Sequence, residues 1–432
     1  MNTDNCNYSV VDKLYKYRYP QDVLTVLTSK IEPRVLEVDV RKSCYEVLAE
    51  DIYSPVNRPW ADLSHVDGYA VIADDLKGAS SHNPIKLKIV KNIDPRNAHL
   101  YTLKPGETVF VETGYPLPKN SNAVIPVESV RVTGDHMYVY HEIKENTNII
   151  TMASDFKKGE LVVKKGTLVT PGLQKILIDL GIKRVKVYEK PRVALIAVGS
   201  EIVDEVVAPT TRKIPNSSSY LVKNVLEYYG AIVVEDLIVC DDQIEIINLV
   251  EKLVNKDIDL ILTIGGVSLG PKDFTWSSLY NHFKPEIYFR GLRIHPGRST
   301  SGMVINDKII VNLPGLPQST IAALIFIVIP LMNYYRGLGA KIRLPYITLR
   351  NKEDVKIKRF YGFYRLRYVI IEQDKKQGKI LSSIESYNIS QLIRCQGFTI
   401  IYPNVHEIKR NVEIKVYFLP PLFEYPIYDV IP

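Results

Sequence analysis

Cysteine is scarce in this sequence of 432 residues. Its four cysteines, Cys6, Cys44, Cys240 and Cys395, stand far apart, and no CxxC occurs. Four cysteines in so long a chain do not form a disulfide framework, so the sequence predicts a protein of a reducing compartment, the cytoplasm. The eight histidines form no HExxH and no paired spacing with cysteine, so nothing in the sequence argues for a zinc site.

Long apolar segments and targeting signals are also missing. The longest apolar stretch, Ile321 to Met332, is too short to span a bilayer and contains Pro330, which predicts a buried core helix and no membrane association. Residues 1–5 lack the basic and apolar regions of a signal peptide. No recognised nucleic-acid-binding motif is present, and most of the chain is charge-balanced, so we expect no nucleic acid partner.

The charge of the chain is unevenly distributed. The composition is that of a globular protein, with 46% hydrophobic residues, 55 Lys+Arg and 48 Asp+Glu. Residues 341–432 hold 16 basic and 9 acidic residues, whereas residues 1–340 hold 39 of each, so the whole excess of +7 lies in the tail. A basic tail either flanks a cleft and attracts an anionic ligand or is a solvated surface, and the sequence leaves both open.

The spacing of apolar residues predicts regions of different structure. A helix is predicted near Gln21–Lys30, and Ser43–Glu46 has the residues of a capping box that opens a short helix through Glu50. Short apolar runs between turn residues predict a small β domain over residues 59–141. A helix over Pro171–Leu180 follows.

Beyond Pro191, strands alternate with helices. Continuous apolar strands are predicted at Val193–Val198, Ala231–Val239, Leu260–Ile264 and Ile309–Asn312, with helices over Ser218–Tyr229 and from Asp242. Strands buried on both faces and joined by helices indicate a parallel α/β sheet. The tail returns to alternation, which predicts a separate β domain.

Three loops follow strands of this sheet at its carboxyl edge, where open α/β sheets bind ligands. They are Gly199–Glu201, Gly265–Gly270 and Pro314–Ser319. Glycine backbone and the start of a helix are favourable places for a phosphate or an oxyanion. A single loop is equally well explained as a tight turn, but several at one edge favour a binding site.

Two further segments are candidates for binding. His295 and Arg298 place two basic side chains across a Pro-Gly turn, which suits an anionic ligand but also an exposed basic turn. Asp67 stands beside Gly68 ahead of a strand, where it could hold a metal or a polar ligand. Taken alone, an ordinary Asp-Gly turn is the better explanation of that segment.

Read in order, the motifs are Ser64-x-x-Asp67-Gly68-Tyr69-Ala70, Thr113-Gly114-x-Pro116, Gly199-x-Glu201, Gly265-Gly266-Val267-Ser268-x-Gly270-x-x-Asp273, Pro296-Gly297-Arg298 and Leu313-Pro314-Gly315-x-Pro317-x-Ser319. As an ordered set, running from about residue 20 into the tail, they resemble the molybdopterin molybdenumtransferase family, which includes MoeA and the E domain of gephyrin. The resemblance implies a multidomain α/β plus β fold. A helical linker domain would comprise residues 1–58 and 142–190, with a β-rich domain inserted at 59–141. A central parallel α/β (MogA-like) molybdopterin-binding domain at 191–340 and a C-terminal β-barrel at 341–432 would follow.

The resemblance also implies the activity: Mg²⁺-dependent insertion of molybdate or tungstate into adenylylated molybdopterin, with release of AMP, by a homodimer. It implies catalytic roles for Asp67, Glu201 and Asp259, with Asp67 and Glu201 as metal ligands. The substrate-binding residues that it implies are Ser64, Thr113, Gly265, Gly266, Ser268, Gly270, Asp273, His295, Pro296, Gly297, Arg298, Pro314, Gly315 and Ser319.

The sequence departs from the family motifs at several polar positions. Ile150 stands where the family has an arginine, Ser200 where it has an aspartate, His295 where it has a lysine and Leu316 where it has an asparagine. These changes motivate an alternative, a diverged relative that binds pterin or acts as a scaffold without turnover. A second alternative is a nucleotide-pyrophosphate hydrolase built on the same α/β domain.

Overall fold

The computed structural model describes residues 17–208, 213–267, 274–357, 360–374, 378–384, 389–420 and 422. They form two compact units, a smaller one of residues 37–186 and a larger one that contains residues 17–36 and the described residues from Val187 onward. The finer division into four domains remains a prediction. Residues 17–36, predicted as part of a linker domain, pack with the larger unit.

The helices match the predicted positions closely where the sequence provides caps. They are α1 Pro20–Thr28, α2 Pro171–Asp179, α3 Ser217–Tyr228, α4 Gln243–Val254, α5 Phe274–Phe283, α6 Pro317–Ala323, α7 Ile329–Tyr335 and α8 Gln391–Arg394. Thr170 caps α2 by accepting a hydrogen bond from the Leu173 backbone N–H, and Asp242 caps α4 through Ile244 and Glu245. Side-chain acceptors at these positions satisfy N–H groups that the helix itself leaves unpaired.

The strands of the smaller unit are short, as its turn-rich sequence predicts. They are β1 Val35–Asp39, β2 Ile52–Tyr53, β3 Leu63–Ser64, β4 Gly68–Val71, β5 Ile85–Ile89, β6 Glu107–Val111, β7 Ala123–Pro126, β8 Arg131–Thr133, β9 His136–Val139, β10 Ile149–Ile150, β11 Leu161–Val163 and β12 Arg184–Tyr188. Six of them form a sheet in the order β7-β4-β6-β5-β9-β8, and β1 pairs with β12. The chain enters the smaller unit within β1 and leaves it within β12.

The predicted helix over Ser43–Glu50 is wrong. The Ser43 hydroxyl closes the preceding 3₁₀ turn by donating to the Val40 carbonyl at 2.7 Å, and Tyr45 has a left-handed backbone (φ 64°). The following residues hydrogen-bond to a distant segment, with the Tyr45 N–H donating to the Val169 carbonyl at 2.7 Å and the Leu48 N–H to the Thr167 carbonyl at 3.0 Å. These long-range bonds outweigh the local capping pattern.

The larger unit contains the strands β13 Arg192–Val198, β14 Ile202–Val203, β15 Ile214–Pro215, β16 Ile232–Val239, β17 Leu260–Ile264, β18 Tyr288–Arg290, β19 Ile294–His295, β20 Ser301–Ile305 and β21 Lys308–Leu313. Its main sheet has the order β16-β13-β17-β21-β20-β18. The first four strands are parallel, as predicted, but β20 and β18 run antiparallel to their neighbours, so the sheet is mixed. Helices α3, α6 and α7 pack on one face, and α4 and α5 on the other.

The tail is β structure, as its alternation predicts. Its strands are β22 Tyr346–Asn351, β23 Val355–Lys356, β24 Tyr364–Asp374, β25 Gly378–Ile384, β26 Gly397–Ile401, β27 Glu407–Ile408 and β28 Glu413–Tyr417. The pairings of β24, β25, β22, β28 and β26 form a ring, because β26 also pairs with β24.

The apolar stretch that the sequence assigns to a core helix is such a helix. Helices α6 and α7 are continuous through a π-helical turn, Leu324–Val328. The whole helix, Pro317–Tyr335, has the length and hydropathy of a membrane span, but 83% of its apolar window is buried inside the fold. Burial of this kind is typical of the core helix of a globular domain.

Candidate active site

A cleft of about 400 Å³ lies at the carboxyl edge of the sheet in the larger unit. Ile264 of β17 pairs with Leu313 of β21, and the Gly265 N–H donates to the Leu313 carbonyl at 3.0 Å. This register brings the Gly265–Val267 loop beside Gly315 and Leu316, and both loops line the cleft. Glu201 of the Gly199–Glu201 loop lines the same cleft, so the structure brings together residues of all three predicted ligand loops.

Glycine is required at two cleft positions. Gly265 and Gly266 have left-handed backbones, with φ of 93° and 65°. A Cβ on Gly265 would lie 2.6 Å from the Val198 carbonyl oxygen, and one on Gly266 would lie 2.2 Å from the Thr275 hydroxyl oxygen. Because neither position accommodates a side chain, backbone atoms form this wall of the cleft and can approach a ligand closely.

Two carboxylates line the cleft, Glu201 after β13 and Asp241 after β16. The Ser200 N–H donates to Asp241 Oδ2 at 3.2 Å, and the Asp241 N–H donates to Ser200 Oγ at 3.2 Å, so the two loops hold each other. Asp241 was not predicted as a site residue. Its position directly after a predicted parallel strand, at the same edge as Glu201, is the signal that would have identified it.

The predicted basic turn, His295–Arg298, packs against the start of α6. A Cβ on Gly297, whose φ is 101°, would lie 3.1 Å from the Ser319 carbonyl oxygen. The Arg298 guanidinium lies 4.2 Å from the centre of the Phe360 ring, and the His295 ring lies 4.7 Å from it. Within the described part of the chain, neither this turn nor Pro314 or Ser319 contributes to the lining of the cleft.

Asp259 lies at the opposite end of β17 from the cleft. Its carboxylate accepts from the Arg34 guanidinium at 3.0 Å and from the Arg192 backbone N–H at 2.7 Å. The length of β17 separates it from Gly265 by roughly 20 Å. The structure therefore does not bring Asp259 to the cleft, and its contacts are those of an ion pair that supports the sheet.

Asp67 belongs to the smaller unit, where Thr113 holds it. Asp67 Oδ1 accepts from the Thr113 backbone N–H at 2.7 Å and from the Thr113 hydroxyl at 2.8 Å. The backbone hydrogen bond, followed by that of the hydroxyl, lowers the pKa of this exposed carboxyl below its ordinary value, so it is ionised at neutral pH. Ser64 is buried, and its hydroxyl donates to the Val66 carbonyl at 2.5 Å, which makes it a structural part of the same loop.

Three predicted site residues, Ser268, Gly270 and Asp273, lie outside the described residues. Among the residues that are described, no three His, Cys, Asp or Glu side chains are grouped so that they could hold a metal ion. Two carboxylates in one cleft nevertheless fit Mg²⁺, which is usually bound by one or two carboxylates together with water and substrate phosphates.

Three basic residues of the tail have local partners at the surface. Arg350 lies 4.0 Å from Glu413, Lys409 lies 2.9 Å from Glu407, and the Lys415 ammonium lies 4.3 Å from the centre of the Tyr346 ring. No Lys or Arg of the tail lines the cleft within the described residues. For these residues the structure favours a solvated surface over a basic wall of the cleft.

Known proteins match the chain along most of its length. The family described as "MoeA N-terminal region (domain I and II)" matches residues 19–181, and the family described as "probable molybdopterin binding domain" matches residues 194–334. A solved MoeA protein of Pyrococcus horikoshii superimposes with a TM-score of 0.77 at 26% identity, covering 93% of this chain and 100% of its own. The chain belongs to the MoeA family. The motifs that were identified in the sequence are therefore those of a MoeA protein.

Curated relatives of this MoeA protein agree with the assignment. A molybdopterin molybdenumtransferase of Staphylococcus aureus (strain COL) is 28% identical over 328 residues, which are 76% of this chain and 78% of the relative. A protein of Methanocaldococcus jannaschii whose name refers to molybdopterin biosynthesis is 29% identical over 394 residues, covering 89% of this chain and 92% of its own.

The departures from the MoeA motifs differ in their structural effect. The hydroxyl of Ser200, which stands in place of the family's aspartate, accepts a hydrogen bond from the Asp241 backbone N–H. Leu316, in place of an asparagine, is 66% exposed and lines the cleft, so it presents an apolar side chain where the family has an amide. Ile150, in place of an arginine, is half-buried and pairs with Leu63 of the Ser64 loop.

Proposed function

We propose that this chain catalyses Mg²⁺-dependent insertion of molybdate or tungstate into adenylylated molybdopterin in the cytoplasm, with release of AMP. Its membership of the MoeA family makes it an enzyme of the transferase class that acts in molybdenum cofactor biosynthesis. The observation that carries the finer proposal is the cleft itself, whose lining combines two acidic residues with glycine backbone.

The cleft suits a substrate that carries a phosphoanhydride. The Gly265–Val267 loop and the Gly315 turn allow close approach of a phosphate to main-chain atoms. Glu201 and Asp241 would hold Mg²⁺, which supplies charge neutralisation at the phosphoryl oxygens when bound. Asn216, which is 6% exposed at the start of α3, lines the same cleft and can fix the orientation of a polar ligand.

Asp67 is proposed to act from the second subunit of a homodimer, as the resemblance implies. Thr113 keeps its carboxylate ionised and oriented, which is what a ligand of a divalent cation requires. Arg298, whose guanidinium is stacked on Phe360, is proposed to meet the oxyanion together with Ser319.

The test is AMP release by the full-length chain. The protein would be incubated with adenylylated molybdopterin, Mg²⁺ and either molybdate or tungstate, and AMP would be quantified by chromatography, with the S. aureus relative assayed in parallel. We expect AMP release that depends on the oxyanion and is abolished by EDTA. The relative rates with the two oxyanions would identify the one that is handled.

Two results would replace the proposal by one of its alternatives. Absence of AMP release under conditions where the S. aureus relative turns over would favour a relative that binds pterin without catalysis. Hydrolysis of ADP-ribose without any requirement for molybdate or tungstate would favour a nucleotide-pyrophosphate hydrolase.

A further inference from the structure

A row of buried polar side chains crosses the sheet just below the cleft. Thr263 of β17, Asn312 of β21 and Ser301 of β20 are register partners on adjacent strands, and all three are at most 1% exposed. The Thr263 hydroxyl donates to Asn312 Oδ1 at 2.9 Å, and Asn312 Nδ2 donates to Ser301 Oγ at 3.2 Å. One amide therefore bonds two neighbouring strands at once.

Each strand of this row adjoins one of three loops that were predicted to bind a ligand: the Gly265 loop, the Pro314 loop and the basic turn His295–Arg298. Thr263 lies two residues before Gly265, and Asn312 lies two residues before Pro314. Ser301 begins β20 three residues after Arg298, and because β20 is antiparallel to β21, its beginning lies at the same edge of the sheet. Asn312 thus connects the bases of all three loops.

The loops also contact one another above this row. The Gly265 N–H bonds to the Leu313 carbonyl, and a Cβ on Gly315 would lie 3.6 Å from the Gly265 Cα. The Thr300 hydroxyl donates to the Gly297 carbonyl at 2.7 Å, which fixes the third loop to the start of β20. Because of these contacts, a displacement of one strand end would also displace the loops.

Packing alone does not require polar residues here. The adjacent positions on the same face, Ile261, Ile310 and Met303, are apolar and fully buried. Buried polar groups contribute little net stability even when satisfied, and a group left without its partner is costly, so an apolar row would hold the sheet at least as well. What the polar row adds is a pair of directional hydrogen bonds, which hold β17, β21 and β20 in a fixed register.

We propose that Asn312 is a positioning residue. Through Thr263 and Ser301, its amide fixes the Gly265 loop, the Pro314 loop and the basic turn His295–Arg298 relative to one another. The proposal rests on the cleft being the ligand site of the proposed function. It assigns Asn312 no contact with the substrate.

The first test is hydrogen exchange of the full chain without ligand. In an Asn312→Leu variant, amides in peptides covering residues 260–267, 294–301 and 313–320 should all exchange about tenfold faster, because two hydroxyls lose their partner. Asn333→Leu is the matched control. Asn333 is also buried, and its amide donates to the Lys341 carbonyl at 3.0 Å. It lies on α7, which ends near Asp259 at the edge of the sheet away from the cleft. This variant should leave the three peptides unchanged. Faster exchange in only one of the peptides would contradict the proposal.

A triple variant separates positioning from stability. Thr263→Val, Ser301→Ala and Asn312→Leu together remove the row without leaving an unsatisfied group, so the melting temperature should recover towards that of the wild type. If Asn312 positions the loops, exchange in the three peptides stays fast despite the recovery. If exchange also returns to the wild-type rate, the row is merely structural and the proposal is wrong.

Turnover provides a second readout. Thr263→Val should raise the KM for adenylylated molybdopterin about tenfold while kcat changes about twofold at most, and Thr263→Ser, which keeps the hydroxyl, should restore the KM. An equal rise of the KM in Thr263→Val and Thr263→Ser would contradict the proposal. If the wild type releases no AMP, the proposed function fails, whereas the exchange experiment still decides on Asn312.

Discussion

The two ends of the main sheet carry acidic residues in opposite situations. At the amino end, Asp259 is paired with Arg34, which also lies 2.9 Å from Glu189 and 3.1 Å from Asp257. At the carboxyl end, Glu201 and Asp241 line the cleft, and among the described residues Asp241 is held by a serine and not by a cation. The same residue type thus stabilises the fold at one end and is available to a ligand at the other.

This difference follows from the direction of the strands. A residue that precedes a parallel strand lies at the amino edge of the sheet, where the connections from the helices enter the strands. A residue that follows the strand lies at the carboxyl edge, where ligands bind. Asp259 precedes β17, whereas Glu201 and Asp241 follow β13 and β16. Position relative to the strand, more than residue type, decides which carboxylate can be catalytic.

The largest expected effect is that of Glu201→Gln. Removing a carboxylate that is proposed to hold Mg²⁺ should lower the rate of AMP release about 100-fold. The Mg²⁺ concentration needed for half-maximal rate should rise, and the melting temperature should not fall, because this side chain is exposed. A variant with wild-type rate and wild-type Mg²⁺ dependence would remove Glu201 from the site.

Asp259→Asn should show the reverse pattern. Loss of the charge opposite Arg34 should lower the free energy of unfolding by about 1 kcal/mol, a small value because Arg34 is partly exposed and keeps two other acidic partners. AMP release should stay within about twofold of the wild type. Urea unfolding and the AMP assay measure the two quantities, and a large loss of activity in a folded variant would invalidate the contrast between the two ends.

Ser200→Ala should have a moderate effect at the carboxyl end. Asp241 would lose the acceptor of its backbone N–H, and kcat should fall about two- to fivefold, the size expected for one neutral hydrogen bond. Ser200→Asp, which supplies an acceptor as the family motif does, should restore the rate. Ser217→Ala, another exposed serine of the cleft, is the control and should be neutral.

The smallest effect is expected for Leu316→Asn. Replacing an exposed apolar side chain at the cleft by the family's amide should lower the KM for adenylylated molybdopterin about two- to threefold. Ile214→Asn changes another exposed apolar residue that lines the cleft and should not improve binding. Equal improvement in both variants would indicate a general effect of polarity.

The parallel strands of the sheet and the three ligand loops that follow them could be predicted, because burial on both faces leaves long apolar runs in the sequence. β17 was predicted at its observed bounds, Leu260–Ile264, and the glycines that follow it lie in the cleft. The antiparallel strands β18 and β20 were not predicted, since β18 has only three residues and β20 begins with Ser301 and Gly302, so neither gives a continuous apolar run.

Partners distant in the sequence explain the other differences. The capping box at Ser43 failed because Val169 and Thr167, over 120 residues away, provide the hydrogen bonds of that segment. Asp259 was assigned to catalysis by resemblance alone, although its place before a predicted strand indicated the other edge of the sheet. Asn312 gave no signal as a link between loops, because that role depends on the order of strands in the sheet.

The path of the chain between the two units has a consequence for synthesis on the ribosome. Helix α1 is made first among the helices of the described residues, yet Leu24 and Leu27 are buried in the same core as Ile325 and Leu331, about 300 residues later. At ordinary elongation rates, α1 waits roughly 15 to 60 s for these partners, while the smaller unit is completed in between. The smaller unit can therefore fold by itself during translation. The larger unit completes its core last, when α6 and α7 have been made and pack with α1.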